Sequence, residues 1–224
     1  MRPILIPCLA LSLALGCSEP QPTAPPEVEL PAGTVLVVDQ QPILAEEVDR
    51  YVSAIQLIEP EFVLRDHRRK VLSNISIPIA AGAALDPAGR DGAFERAQRL
   101  LAAARETGEV PADAPAPKVS TGTFKDVGLI PWAIATDLEP LTFSELHETP
   151  GAWTFFKLTA STHAPGEFIG TSQVTIVRYD VPYLPTEAVR GLVQTALGGF
   201  DVQVVDPEWE PLVPPIYLYP KGDQ

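Results

Sequence analysis

The sequence predicts an α+β fold: an N-terminal strand and helical arm, followed by a small, mostly antiparallel sheet with flanking helices. Three observations lead there. A β-branched run, TVLVVD, spans residues 34–39. Stretches with helical spacing of apolar residues fill the first half of the chain, and short strand-like pieces fill the second. Helices segregated from strands in this way favour an α+β arrangement over alternating βαβ units.

Residues 35–39 read as the first strand, broken by Gln40-Gln41-Pro42. Glu46 and Glu47 then sit where a helix N-terminus favours carboxylates, and Val48, Tyr51, Val52 and Ile55 recur on one face, giving a helix over 45–58. Glu59-Pro60 ends it. Pro60 suits the first turn of a second helix through Phe62, Val63 and Val71 towards Ile75, which Pro78 is expected to kink or end. A third helix, 93–107, places Phe94, Ala97, Leu100, Leu101 and Ala104 on one stripe and stops at Gly108.

Residues 110–118 are rich in proline, alanine and charge and read as a loop. Strand-like pieces follow at 119–124, 127–130, 153–160 and 173–181. A helix over 186–197 ends at Gly198-Gly199, and a strand at 200–205 precedes a proline-punctuated tail. The expected organisation is a leader at 1–16, a tether at 17–33, a strand with helical arm at 34–90, an α+β domain at 91–206 and a tail at 207–224.

The leader has Arg2, then an apolar run from Ile4 to Leu15, about 12 residues and too short to span a bilayer, so it reads as a cleaved export signal. Ala14-Leu15-Gly16-Cys17 resembles the bacterial lipobox. That resemblance implies a diacylglycerol on Cys17 and an exported protein anchored at the periplasmic face of the outer membrane, since Ser18 is not the aspartate that retains lipoproteins at the inner membrane. The alternative is plain secretion with a free exposed thiol. The other cysteine, Cys8, lies within the leader, so disulfides, zinc–thiolate sites and cysteine nucleophiles are excluded from the folded part. Residues 18–33 carry five prolines and no aromatic residue, which suits an extended tether reaching up to roughly 50 Å; a proline-rich partner ligand is the other reading.

A net charge of −13 argues against nucleic acid as a partner. The one dense basic block, Arg65-Asp66-His67-Arg68-Arg69-Lys70, could grip an acidic partner through Arg65, Arg68, Arg69 and Lys70, or it could be a helix face neutralised by carboxylates of the same fold. The histidines at 67, 147 and 163 lack close ligand spacing, so no metal is expected, and no cofactor. There is no G-x-S-x-G elbow. Gly198-Gly199 lacks a phosphate-binding context.

Two segments read together go further. VLVVDQQPILAEEVDRYV at 35–52 resembles the opening of periplasmic parvulin-type foldases and chaperones, where a strand ending in Asn-Gly or Asp-Gly leads through an isoleucine into an acidic helix start; Asp39-Gln40 and Ile43 stand at those positions. LHETPGAWTFFKL at 146–158 is similar to the end of a parvulin domain, through Thr149, Gly151, Trp153, Lys157 and Leu158. The helix at 93–107, a glycine-containing loop and LIPWAI fit the same order, so the resemblance covers about 35–160. It implies a chaperone or a weak peptidyl-prolyl isomerase acting on unfolded or proline-containing exported polypeptides. The family's paired histidines are missing, which favours binding over catalysis. His147, Trp153 and Phe155 are the candidates for the polar edge and apolar wall of a proline pocket, against a reading of Trp153 and Phe155 as plain core. The alternative function is a non-catalytic structural or assembly lipoprotein that docks an envelope protein.

Overall fold

The computed structural model describes residues 29–57, 59–128, 138–163, 171–194 and 200–218. The leader, Cys17 and most of the tether lie outside these residues, as do LIPWAI and the glycine pair at 198–199. The fold is α+β, built on two antiparallel sheets.

The first sheet starts with β1 (Thr34–Val38), whose five residues are all buried, paired to β2 (Gln41–Leu44). Here the sequence expectation is corrected. Gln40-Gln41-Pro42 does not end the strand region; Asp39 and Gln40 alone make the turn, with φ of 43° and 71°, and Pro42 sits within β2. Two successive left-handed residues match the twist of a tight hairpin, and β2 is an edge strand where a missing N–H is tolerated.

Helix α1 (Ala45–Gln56) buries Val48, Tyr51, Val52 and Ile55, as their spacing requires. The next helix, α2 (Leu64–Val71), starts later than Pro60, leaving Phe62 and Val63 outside it and exposed. It does not end at Pro78. A π-helical turn at Leu72–Ser76 leads into α3 (Ile77–Leu85), with the Ile77 N–H bonded to the Leu72 carbonyl five residues back. The π turn resets the hydrogen-bond register just ahead of the proline, so Pro78 falls in the first turn of α3, where its missing N–H is harmless.

The chain turns at Asp86, whose carboxylate accepts the Gly89 N–H at 2.9 Å and starts α4 (Pro87–Thr107) at 108° to the helices before it. This helix begins six residues before the expected start at 93 and ends as expected on Gly108, left-handed at φ 78°. The expected boundary between residues 90 and 91 falls inside it.

Sheet two has the order β3 (Lys118–Gly122), β6 (Val174–Pro182), β5 (Ala152–Ser161), β4 (His147–Thr149), every pair antiparallel. Between β3 and β4, α5 (Phe124–Val127) takes Phe124, expected to end one strand, and Val127, expected to begin the next, and Val127 is buried there. Both faces of this sheet are covered. Phe155 faces Ala97, Leu100 and Leu101 of α4, while Phe156 packs with Val127, Leu158 and Ile176 on the other side.

After α6 (Thr186–Gln194), β7 (Val202–Val204) returns to pair with β1, so the two ends of the described chain share the first sheet. Residues 207–218 are not a loose tail. A 3₁₀ turn at Pro207–Leu212 and α7 (Pro215–Leu218) follow β7, and Trp209, Leu212 and Val213 join the core of β1, α1, α2 and α3.

Candidate functional site

A cavity of about 220 Å³ lies where β2, α1 and α3 meet the edge strand β4. Pro42, Tyr51, Ile79 and Trp153 supply an apolar wall, and Arg50, Arg90, His147 and Glu148 a polar rim. Because it runs along the border of the sheet, side chains from both faces of β4 reach it. His147 stands opposite Thr154 and Glu148 opposite Trp153.

His147 is the less satisfied of these groups. Its Nε2 is buried and has no hydrogen-bond partner among the described residues, and its ring lies 6.4 Å from that of Phe156. Burial, aided by the positive charge of Arg50 and opposed by Glu145, lowers its pKa to about 4. The imidazole is therefore neutral at neutral pH.

The opposite rim is a rigid polar cluster. Arg90 donates two hydrogen bonds to Glu148, each 2.7 Å, and Glu148 also accepts from the Tyr183 hydroxyl at 3.0 Å. Trp153 donates from Nε1 to the Arg90 carbonyl at 3.1 Å and lies 4.7 Å from the ring of Phe94, with the Arg90 guanidinium 5.5 Å from its centroid. These contacts fix the indole in one orientation at the cavity wall. The hydrogen bond to Glu148 is also the main reason the Arg90 pKa is raised.

Behind His147, Thr154 is fully buried and donates to Asp180 at 2.9 Å. Burial pushes the Asp180 pKa up, but the hydrogen bond from Lys118 and the charge of Arg178 outweigh it, so the carboxyl is held below its ordinary value. Asp180 is a charged anchor for three strands.

Of the three residues expected to form a proline pocket, two meet at the cavity and one does not. His147 and Trp153 line it; Phe155 is fully buried on the α4 face, stacked on Tyr179 at 5.1 Å, where no ligand reaches it. Residues 153 and 155 share one face of β5; Phe155 lies farther along the strand, under Ala97, Leu100 and Leu101 of α4, whereas Trp153 is the second residue of β5, beside the β4–β5 turn.

The basic block is largely engaged within the fold. Arg68 donates to both Asp49 oxygens at 2.8 and 2.7 Å and stands over the Trp209 ring at 4.7 Å; Lys70 reaches Glu59; Arg69 reaches the Pro211 carbonyl. His67 is 1% exposed and bonded to the Glu59 carbonyl. Arg65 is exposed and has no ion pair among the described residues. Cys17 lies outside the described residues. Among the described residues, no group of three or more His, Cys, Asp or Glu side chains could hold a metal ion.

Arg50, Arg90 and Glu148 carry no motif in the sequence. Glu148 falls within the segment that carries the parvulin resemblance, but its partner is 58 residues away and only the tertiary fold joins them. No protein-family model, curated protein or solved structure matches this chain.

Proposed function

We propose that this protein is an exported lipoprotein, anchored through Cys17 at the periplasmic face of the outer membrane, that binds unfolded or proline-containing polypeptides as a chaperone or weak peptidyl-prolyl isomerase. The cavity at the border of β4 carries the reading. It is smaller than the few hundred Å³ typical of a small-molecule site, and suits a short apolar segment of a polypeptide. A fixed indole, Tyr51 and Ile79 offer apolar contact, while Arg50 and His147 offer polar groups to a backbone.

Binding is favoured over catalysis. Rotation about a prolyl bond has a barrier of about 20 kcal/mol, lowered by a desolvated pocket that holds the twisted amide rather than by proton transfer. A neutral His147 beside an apolar wall is compatible with that, yet with Phe155 in the core the wall is thin. Docking of an envelope protein through residues 65–70 has less support, because Arg68, Arg69 and Lys70 already have partners in the fold.

The test uses the mature protein in two assays, cis/trans exchange of a proline-containing peptide and suppression of aggregation of an unfolded protein. Suppressed aggregation, weakened by Trp153→Ala, supports the proposal, and accelerated exchange adds the isomerase. No effect in either assay would sink it.

A further inference from the structure

We infer that the described residues joining α1 to α2 form a lipid-contact surface, which rests on the bilayer leaflet that holds the anchor, one without net charge, and orients the domain; this depends on the reading of Cys17 as the anchor. Leu57, Phe62, Val63 and Leu64 are exposed by 56%, 52%, 62% and 44% within one short stretch of chain. The other large exposed apolar residues, such as Leu85, Val119 and Leu141, are far apart in sequence. Exposed apolar residues grouped in this way mark an interaction surface more often than isolated ones do.

The loop is held in place. Lys70 binds both oxygens of the Glu59 carboxylate at 2.9 and 2.8 Å, His67 bonds the Glu59 carbonyl at 3.0 Å, and the Phe62 ring stands edge-on to His67 at 6.1 Å. These contacts present the apolar side chains outward with little further ordering to be lost on binding. The remaining charges beside them are Glu61, Arg65 and Asp66, one cation against two carboxylates. That balance disfavours anionic headgroups and suits zwitterionic ones.

The chain that precedes the described residues argues for lipid as the occupant. Only eleven residues lie between Cys17 and Glu29, a reach of roughly 36 Å at about 3 Å each, whereas α1, with its 12 residues, is about 18 Å long. The loop therefore stays within reach of the bilayer that holds the anchor. Four apolar side chains would bind a membrane weakly from solution, but the tether supplies the high effective concentration at which weak contact suffices.

The mature chain from Ser18, carrying a histidine tag in place of Cys17, is attached to phosphatidylcholine vesicles through a nickel-chelating lipid, which supplies a tether whatever the natural state of Cys17. The chain from Ser18 has no cysteine, so an environment-sensitive dye can be placed on Phe62→Cys or, as a control, on Val119→Cys. The expected result is a blue shift at residue 62 and none at 119, quenching of the 62 dye by brominated acyl chains, and loss of the shift when Val63→Asp is added. Equal spectra at the two positions would overturn it. So would a shift at residue 62 that appears without vesicles on adding an unfolded polypeptide or on raising the protein concentration, since the occupant would then be a protein. Mass spectrometry of Cys17 in the native product tests the anchor separately.

Discussion

The Arg90 guanidinium and the Glu148 carboxylate meet face to face, two nitrogens on two oxygens at 2.7 Å each, and so fasten the start of α4 to the edge strand β4. Their side chains are 31% and 12% exposed, and Glu148 has Tyr183 as a further donor. The pair holds one rim of the cavity and the backbone carbonyl that orients Trp153.

Removing one partner strands the other. Arg90→Ala leaves Glu148 with a single neutral donor in a mostly buried place, at a cost of about 2–3 kcal/mol. For a chain of this size that lowers Tm by roughly 5–10 °C. Arg90→Lys keeps the charge but loses the planar fork, so thermal melts should place it between the two. A melt of Arg90→Ala indistinguishable from the parent would show that the contact contributes nothing.

His147 makes stability depend on pH in the mildly acidic range. The unfolded imidazole takes its proton near pH 6.5 and the folded one only near 4. Its contribution is therefore complete above pH 6.5, declines as the pH falls towards 4, and stays low beneath; at one pKa unit per 1.36 kcal/mol the loss is on the order of 3 kcal/mol. Urea midpoints at pH 7 and pH 4 measure the difference. His147→Leu, which removes both the titration and the unpartnered Nε2, should shrink it.

Gly151 occupies a position that admits no side chain. It turns β4 into β5 with φ of 80°, its carbonyl accepts the N–H groups of Tyr183 and Leu184 at 2.9 and 3.0 Å, and an added methyl would overlap Val189 of α6 and crowd Leu184. Gly151→Ala combines a left-handed penalty of about 1 kcal/mol with overpacking of about 1–3 kcal/mol. A fall in the denaturation midpoint is expected. Because α3 also approaches this turn, with Gly82 near the Gly151 nitrogen, the aggregation-suppressing activity should weaken in the same variant.

The β1–β2 turn offers the opposite test. Gln40 is left-handed at φ 71° with an ordinary side chain, whereas Asp39 is tied down by accepting the Asp201 N–H at 2.8 Å. Gln40→Gly keeps the Asp39 contact and relieves strain of about 1 kcal/mol. Chemical denaturation should show a gain; a loss would mean that the Gln40 side chain contributes more than its backbone costs.

The apolar spacing of α1 and α4, the β-branched run of β1 and the stop at Gly108 were all legible in the sequence. Each is a local matter, settled by residues within one or two turns of one another. The hairpin at Asp39-Gln40 is not legible locally, because neither residue is a glycine and the left-handed pair is held by the segment that leads into β7. Pro78 does not end the helix, because a π turn just before it re-registers the hydrogen bonds, and nothing in the local sequence announces that turn.

The candidate site divides along the same line. His147 and Trp153 could be singled out because a segment resemblance pointed to them, but the same resemblance also picked Phe155, which the middle of α4 covers completely. Arg90 and Arg50 carry no signal in the sequence and Tyr51 reads there only as part of the buried face of its helix; each becomes part of a cavity wall only when β4 is laid against it. By itself the sequence determined the fold class and the helices whose faces had to be buried, because burial is encoded in short-range periodicity. The tertiary structure alone decided which side chains share a cavity, because that depends on contacts between residues far apart along the chain.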